Sequence, residues 1–229
     1  MLSLLSPCER KGEKAHLDSR SREYKGRIWS MTSRAIYEEV KCLHQCSSLD
    51  GYIAGPHDEV GNPGGEGFDL HAWFVTADGK FFRPSGPAGG LLDEINATGA
   101  VLVGRRTAEQ SDHWGGDHHG VPIFVVSHRP PDPALTNYPL VTYVTDGIEA
   151  AMAQAKAAAG SRNVLVHGAY TAQRALEAGV LDEVQIHLIP VLYGAGRRLF
   201  EVLPSRISLE IVRVIDTPQA THIRYRLRG

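Results

Sequence analysis

Cysteine is scarce in this chain: three residues in 229, at Cys8, Cys42 and Cys46. Three cysteines cannot build a disulfide framework, and Cys42 and Cys46 share one apolar segment without CxxC spacing. They read as buried free thiols, and a reducing cytoplasmic setting is the expectation. Long apolar runs are missing too; none approaches the roughly 20 residues of a membrane-spanning helix. The opening MLSLLSPCERK has a short apolar patch but neither the basic nor the long hydrophobic region of a signal peptide. Excess positive charge is absent, with a formal net charge of −2 and no basic stripe interleaved with aromatics, so nothing favours a nucleic-acid partner. No GxGxxG follows a first strand and no GxxxxGK[ST] occurs, which disfavours the dinucleotide fold of that fingerprint and the P-loop.

What is present is ordinary soluble protein, 42% hydrophobic and 22% charged, long enough to bury a full core. Residues 1–35 stand apart, with eight Lys/Arg against four Asp/Glu and almost no apolar periodicity. They read as a disordered basic arm, or as a stretch upstream of a true start at Met31. Residues 36–229 carry no repeat or low-complexity linker and read as one domain.

Strands and helices alternate along that domain. GAVLVG (99–104), VPIFVVS (121–127), VTYVT (141–145) and NVLVHG (163–168) are short apolar runs suited to buried parallel strands. LLDEINA (91–97) has a helical apolar face. AAMAQAKAAA is a helix that Asp146 and Glu149 could open as a capping box and Gly160 could close. YTAQRALEAG (170–179) is another, ended by Gly179. SLEIVRVID and THIRYRLR, joined by TPQA, form a hairpin signal. The pattern predicts an α/β fold, a mixed and mostly parallel sheet with helices on both faces and a terminal antiparallel hairpin.

In such sheets ligands collect beyond the carboxyl ends of the parallel strands. Three of those ends suit phosphate: Gly104 followed by Arg105, Arg106 and Thr107; His167-Gly168 leading into a helix; and Ser127 with Arg129 in VVSHRP. Glycine lets backbone approach a ligand, a helix start offers N–H groups, and arginine adds fixed charge. Together they point to a nucleotide with more than one anionic group.

SDHWGGDHHG (111–120) invites a metal reading. Its ligand-capable residues are consecutive on a glycine-broken loop, however, and no HExxH or paired CxxC supports them. No metal site is assigned. The expectation is a loop anchored by Trp114, with His113, Asp117, His118 and His119 facing solvent.

SLDGYIAG (48–55), VLVGRRT (101–107), VVSHRP (125–130) and VHGAYTAQRALEAGVLDEVQIHLIPVLYGAGRRLF (166–200) resemble the dihydrofolate-reductase-like superfamily. They are most similar to the C-terminal reductase domain of the bacterial riboflavin-biosynthesis deaminase–reductase and its stand-alone relatives. The resemblance spans about residues 36–228. It implies a three-layer αβα sandwich, NADPH as hydride donor and a homodimer. By motif, Gly104, Arg105, Arg106 and Thr107 would hold cofactor phosphates, and Ser127 and Arg129 would face the 2′-phosphate. His167, Gly168, Ala169 and Tyr170 would line the pyrophosphate, and Ala54 would lie near the nicotinamide. Asp50 would stand nearest the substrate, in a turn where aspartate is also common for purely local reasons. His167 replaces the glycine frequent in the family. The deaminase zinc signature is absent, so the implied activity is reduction of a small ring-containing or carbonyl substrate, of the riboflavin-pathway or dihydropterin type. A non-catalytic nucleotide- or flavin-derivative-binding protein on the same scaffold is the alternative. The Gly- and Pro-rich segment 55–90 is the candidate substrate lid, and Asp182 and Glu183 read as structural.

Overall fold

The computed structural model describes residues 41–133, 137–201, 203 and 205–228. The expected basic arm at 1–35 lies outside the described residues. An eight-stranded sheet forms the centre, built from β1 (Lys41–Ser48), β3 (Ala100–Gly104), β4 (Ile123–Val126), β5 (Val141–Val144), β6 (Val164–His167), β7 (Glu183–Ile189), β9 (Leu209–Asp216) and β10 (Thr221–Leu227). Its order is β5-β4-β3-β6-β1-β7-β10-β9. The six strands from β5 to β7 are parallel, whereas β10 runs antiparallel to β7 and pairs with β9 as the expected hairpin. A separate ribbon joins β2 (Tyr52–Ala54) to β8 (Arg197–Arg198).

Strand β3 shows why apolar runs take the middle of the sheet. Ala100 and Leu102 pack on one face, Val101 and Val103 on the other, and all four are fully buried. On the first face lie α3 (Ile148–Ala159) and α4 (Ala169–Glu177), whose Ala151, Ala155, Ala172 and Ala175 let the helices approach closely. On the second lie α1 (Gly86–Asn96) and α2 (Arg105–Gln110), together with the turn at Asp112–Gly116. The three-layer αβα arrangement is as expected. Truncating Leu102 to alanine in this setting costs about 2–5 kcal/mol.

Two local expectations are corrected. The capping box of Asp146 and Glu149 does not form; Gly147, at φ 93°, takes the cap position of α3 with no side-chain cap. Only a left-handed backbone turns the chain from β5 into that helix, and glycine adopts it without penalty. The second correction concerns SDHWGGDHHG. His113 and His118 do not face solvent; both are buried, while Asp117 and His119 are exposed. Residues 112–116 form a left-handed turn with φ of 46°, 51° and 54° at Asp112, His113 and Trp114. That turn rotates His113 inward, where its Nε2 lies 2.9 Å from the Tyr143 hydroxyl. Trp114 packs against the valines of the second face, as an anchor should.

Cys42 and Cys46 are buried free thiols, as expected. Among the described residues no helix is long and apolar enough to cross a membrane, and no group of three or more ligand side chains could hold a metal.

Candidate active site

Because β1, β3, β4 and β6 run in parallel, the segments following them meet along one edge of the sheet. At β3 and β6 the two junctions interlock. A Cβ on Gly104 would stand 2.6 Å from Thr171 Oγ1, and one on Gly168 would stand 2.7 Å from Thr107 Oγ1. Each glycine thus seats the threonine of the other junction's helix. Gly168 adds a left-handed φ of 88° and directly precedes α4, which begins at Ala169 without a side-chain cap. The first N–H groups of α4 therefore have no partner within their helix, at the edge where a ligand would lie.

Arg105 and Arg106 have different surroundings. Arg105 donates from Nε to Glu109 Oε1 at 2.6 Å and from Nη1 to the Pro130 carbonyl at 2.9 Å, with Ser127 Oγ at 3.4 Å. It holds the turn after β4 in shape. Within that turn the Ser127 hydroxyl donates to the Arg129 carbonyl at 2.6 Å and accepts from the Arg129 N–H. Ser127 is buried while Arg129 is exposed. Arg106 instead reaches back to the loop after β2, donating from Nη2 to the Asp58 carbonyl at 2.7 Å and to its Oδ1 at 3.1 Å.

Asp58 leads into a cleft of about 510 Å³, lined by Tyr52, Gly55, Pro56, His57, Asp58, Gly196, Arg197, Arg198 and Glu201. Arg197 clamps Asp58 with Nε at 2.8 Å and Nη2 at 3.3 Å. Arg198 lies over the Tyr52 ring at 4.6 Å and donates to its hydroxyl. Burial pushes the Asp58 carboxyl up, but the hydrogen bonds and charges of Arg197 and Arg106 outweigh it and hold the group below its ordinary value. Gly196 leaves no room for a Cβ against the Ala54 carbonyl, so the backbones of β2 and β8 meet at the cleft floor.

Asp50 is a staple between loops. Its carboxylate accepts from the Ser48 hydroxyl at 2.6 Å, the Tyr193 N–H at 3.1 Å and the Gly194 N–H at 2.7 Å. The Ser48 hydroxyl and those two amides favour the charged form and bring the group down to about 2. A carboxylate so held donates no proton at neutral pH. His167, by contrast, is neutral there, because burial pushes its imidazole down to about 3 beside His118. Its ring packs near Trp114 and His118.

A family model, the RibD C-terminal domain, matches residues 42–223. The chain belongs to the RibD C-terminal domain family. Solved structures share its fold. A protein from Shewanella sp. PV-4, provisionally assigned to riboflavin biosynthesis, is 22% identical with a TM-score of 0.64, covering 83% of this chain and 99% of its own. The Thermotoga maritima diaminohydroxyphosphoribosylaminopyrimidine deaminase/5-amino-6-(5-phosphoribosylamino)uracil reductase is 14% identical at a TM-score of 0.52. There the match covers 83% of this chain and 57% of that one. Enterococcus faecalis dihydrofolate reductase, complexed with NADP(H) and RAB-propyl, is 14% identical at a TM-score of 0.52, covering 83% of this chain and 97% of its own. No curated protein matches.

In this RibD C-terminal domain, Gly104, Thr107, Gly168, Ala169 and the exposed Tyr170 gather at the β3–β6 edge, and Ser127 and Arg129 lie at the end of neighbouring β4. Ala54 adjoins the cleft through its pairing with Arg197. Asp50 faces the 193–194 turn. The lid segment divides: Trp73 is core, its indole N–H on Cys46 Sγ, while Phe68, Phe81 and Phe82 are exposed. Asp182 and Glu183 are structural, pairing with Lys41 and with Arg224 and Arg226. The residues absent from the sequence-derived set are Asp58, Arg197 and Arg198. The arginine pair of GAGRRLF was its visible signal; Asp58 had none, lying 139 positions from Arg197.

Proposed function

We propose that this RibD C-terminal domain is an NADPH-dependent reductase acting on a small ring-containing or carbonyl substrate. The observation that carries the reading is the interlocked glycine–threonine pair of junctions at the β3–β6 edge. Each glycine seats a threonine hydroxyl at this edge, beside the free N–H groups of an uncapped helix start, and such an array of donors suits a pyrophosphate. NADPH, when bound, would supply the hydride. Gly104, Thr107, Gly168, Ala169 and Tyr170 would seat its phosphates, Ser127 and Arg129 would meet the 2′-phosphate, and Arg105 would hold their turn. Arg106 would add charge, and Ala54 would border the nicotinamide. His167 stays neutral and offers hydrogen bonds rather than charge.

The substrate would take the cleft beside Arg197, Arg198 and Tyr52. Ribosylamino-pyrimidine phosphates of the riboflavin pathway and dihydropterins are the candidate classes, since both present a flat ring on which a guanidinium can stack and polar groups to the arginines. Asp50 would act as a positioning residue for the cleft wall rather than as an acid. The buried thiols of Cys42 and Cys46 fit a reducing cytoplasm. The apolar edge strand β9, with Ile211 and Val214 exposed, supports a homodimer.

Titration with NADPH followed by a substrate panel monitored by NADPH absorbance tests the reading. No binding at millimolar cofactor overturns it. The engagement of the Asp50 carboxylate by Ser48, Tyr193 and Gly194 also favours a second reading, a non-catalytic binder of nucleotides or flavin derivatives. Cofactor binding without turnover on any ring or carbonyl substrate would select that one.

A further inference from the structure

Resting on the cleft as the substrate space in the reading above, we infer that Glu201 is its specificity-determining residue. It selects a neutral ring with a cyclic acylguanidine edge, as in a 2-amino-4-oxopyrimidine, and turns away uracil-type rings and phosphate esters.

Most polar groups of the cleft are already engaged with one another. The Asp58 carboxylate accepts from Arg197 and Arg106. The Tyr52 hydroxyl accepts from Arg198 Nη2 and donates to the Gly194 carbonyl at 3.2 Å. Arg197 commits Nε and Nη2 to Asp58. Arg198 commits Nη1 to the Asp50 carbonyl at 3.1 Å and Nη2 to Tyr52. Neither guanidinium keeps a pair of adjacent nitrogens wholly free; Arg197 retains Nη1 and Arg198 retains Nε. Glu201 differs from its neighbours. It lines the cleft, stands exposed, and among the described residues has neither a hydrogen-bond nor an ion-pair partner.

The groups left over match one kind of ligand edge. The carboxylate offers two acceptor oxygens, and Arg197 Nη1 offers a donor. A cyclic acylguanidine presents the complement: an N–H and an NH2 side by side for the carboxylate, then a carbonyl oxygen for the guanidinium. A uracil-type edge puts a carbonyl where the NH2 would be, so acceptor meets acceptor at the second Glu201 oxygen. A phosphate ester is disfavoured for two reasons. Phosphate prefers a two-pronged guanidinium, which neither arginine retains, and the charges of Arg197 and Arg198 are balanced by Asp58 and Glu201. The Tyr52 ring covers one face of the Arg198 guanidinium at 4.6 Å, which leaves the other face for a flat ring to stack. At about 510 Å³ the cleft has room for a bicyclic one. Among the candidate classes, the dihydropterins carry this edge without a phosphate.

Fluorescence titration with pterin and with lumazine, which differ only in an NH2 against a carbonyl at one ring position, tests this with NADP⁺ present. The wild type is expected to bind pterin about tenfold or more tighter, the worth of one charge-assisted hydrogen bond. Uridine 5′-monophosphate should displace neither. In Glu201→Gln, whose amide donates to a carbonyl as readily as it accepts, the preference should shrink to about twofold or less. Its Tm should match the wild type, since no partner within the described residues is lost. Equal affinity for pterin and lumazine in the wild type, an unchanged preference in Glu201→Gln, or displacement by uridine 5′-monophosphate overturns the assignment. So does binding of neither ring to a protein that binds NADP⁺. Absence of NADP⁺ binding would instead overturn the reductase reading, and the two ring titrations without cofactor would still decide the role of Glu201.

Discussion

Gly168 faces Thr107 across the β3–β6 edge so closely that a Cβ on the glycine would stand 2.7 Å from the threonine Oγ1. With φ at 88°, Gly168→Ala must also hold a left-handed backbone, costing roughly 1–2 kcal/mol. For a domain of this size that lowers Tm by about 2–8 °C. The displaced Thr107 should raise the Kd for NADPH at least tenfold. Gly90→Ala is the control, since Gly90 lies in α1 with nothing within 4 Å of its missing Cβ. Thermal denaturation and fluorescence titration report both effects, and an unchanged Kd in Gly168→Ala would remove this junction from the cofactor site.

Ser127 and Arg129 form a turn that Arg105 braces through the Pro130 carbonyl. If that turn meets the 2′-phosphate, Arg129→Ala removes a charge that only NADPH uses. Its Kd should rise about tenfold or more, the loss of one charge-assisted contact of roughly 1.5–3 kcal/mol, while the Kd for NADH stays put. Titrating both cofactors checks this; unchanged preference would move the 2′-phosphate site elsewhere.

The hydrogen bonds on Asp50 make a prediction about pH. The Ser48 hydroxyl and the amides of Gly194 and Tyr193 hold it at about 2, below its unfolded value near 3.8. Its contribution to stability is complete above pH 4 and is lost as pH falls toward 2. Urea midpoints between pH 4 and pH 2 should therefore fall less in Asp50→Asn than in the wild type. Turnover of any substrate should show no step between pH 5 and pH 8 that Asp50→Asn abolishes. Such a step would restore Asp50 as an acid.

Much of the scaffold was legible because central strands are buried on both faces: GAVLVG, VPIFVVS and NVLVHG could be little else, and TPQA between two alternating runs marked the final hairpin. Their parallel order also placed Gly104, Ser127 and Gly168 on one edge. What escaped depends on contacts that local pattern does not encode. The left-handed turn at Asp112, His113 and Trp114 runs against the sterics of L-residues and is compensated by burial of His113 and by Trp114 packing. Asp58 meets Arg106 across 48 positions and Arg197 across 139, which no spacing rule anticipates.

Strand β9 ends the sheet with Leu209, Ile211, Val212 and Val214 each 40–62% exposed. An open, apolar edge strand is a template for pairing with a second chain. Ile211→Lys combined with Val214→Lys should convert a dimer to a monomer in light scattering after size exclusion, with Tm little changed if the domain folds alone. A dimer that survives both substitutions would place the interface on another surface.

The half of the sheet away from the β3–β6 edge carries a second pH dependence, of opposite chemical origin. His187 and His222 lie opposite one another on β7 and β10, their Nδ1 atoms 2.7 Å apart, so one neutral ring must donate to the other. Trp73 packs over both rings, and His44 stacks on His187 from β1. Burial is the main cause that pushes His44 down to about 3 and His222 to about 4, with Arg224 adding to it at His44 and Arg213 at His222. Facing them across the packed elements are Arg224, Arg213 and the Glu94 carboxylate of α1. Unfolded histidines take protons below about pH 6.5, whereas these refuse them, so stability is complete above pH 6.5 and declines as pH falls toward 4. Each such histidine contributes up to about 1.4 kcal/mol per pH unit. His44→Leu isolates one of them, because His44 Nδ1 has no hydrogen-bond partner and its loss orphans nothing there. Urea unfolding at pH 7, 6, 5 and 4 should show a shallower decline for His44→Leu than for the wild type, the two diverging below pH 6.5. Parallel curves would mean that His44 takes up its proton in the native protein and that burial beside Arg224 does not hold it neutral.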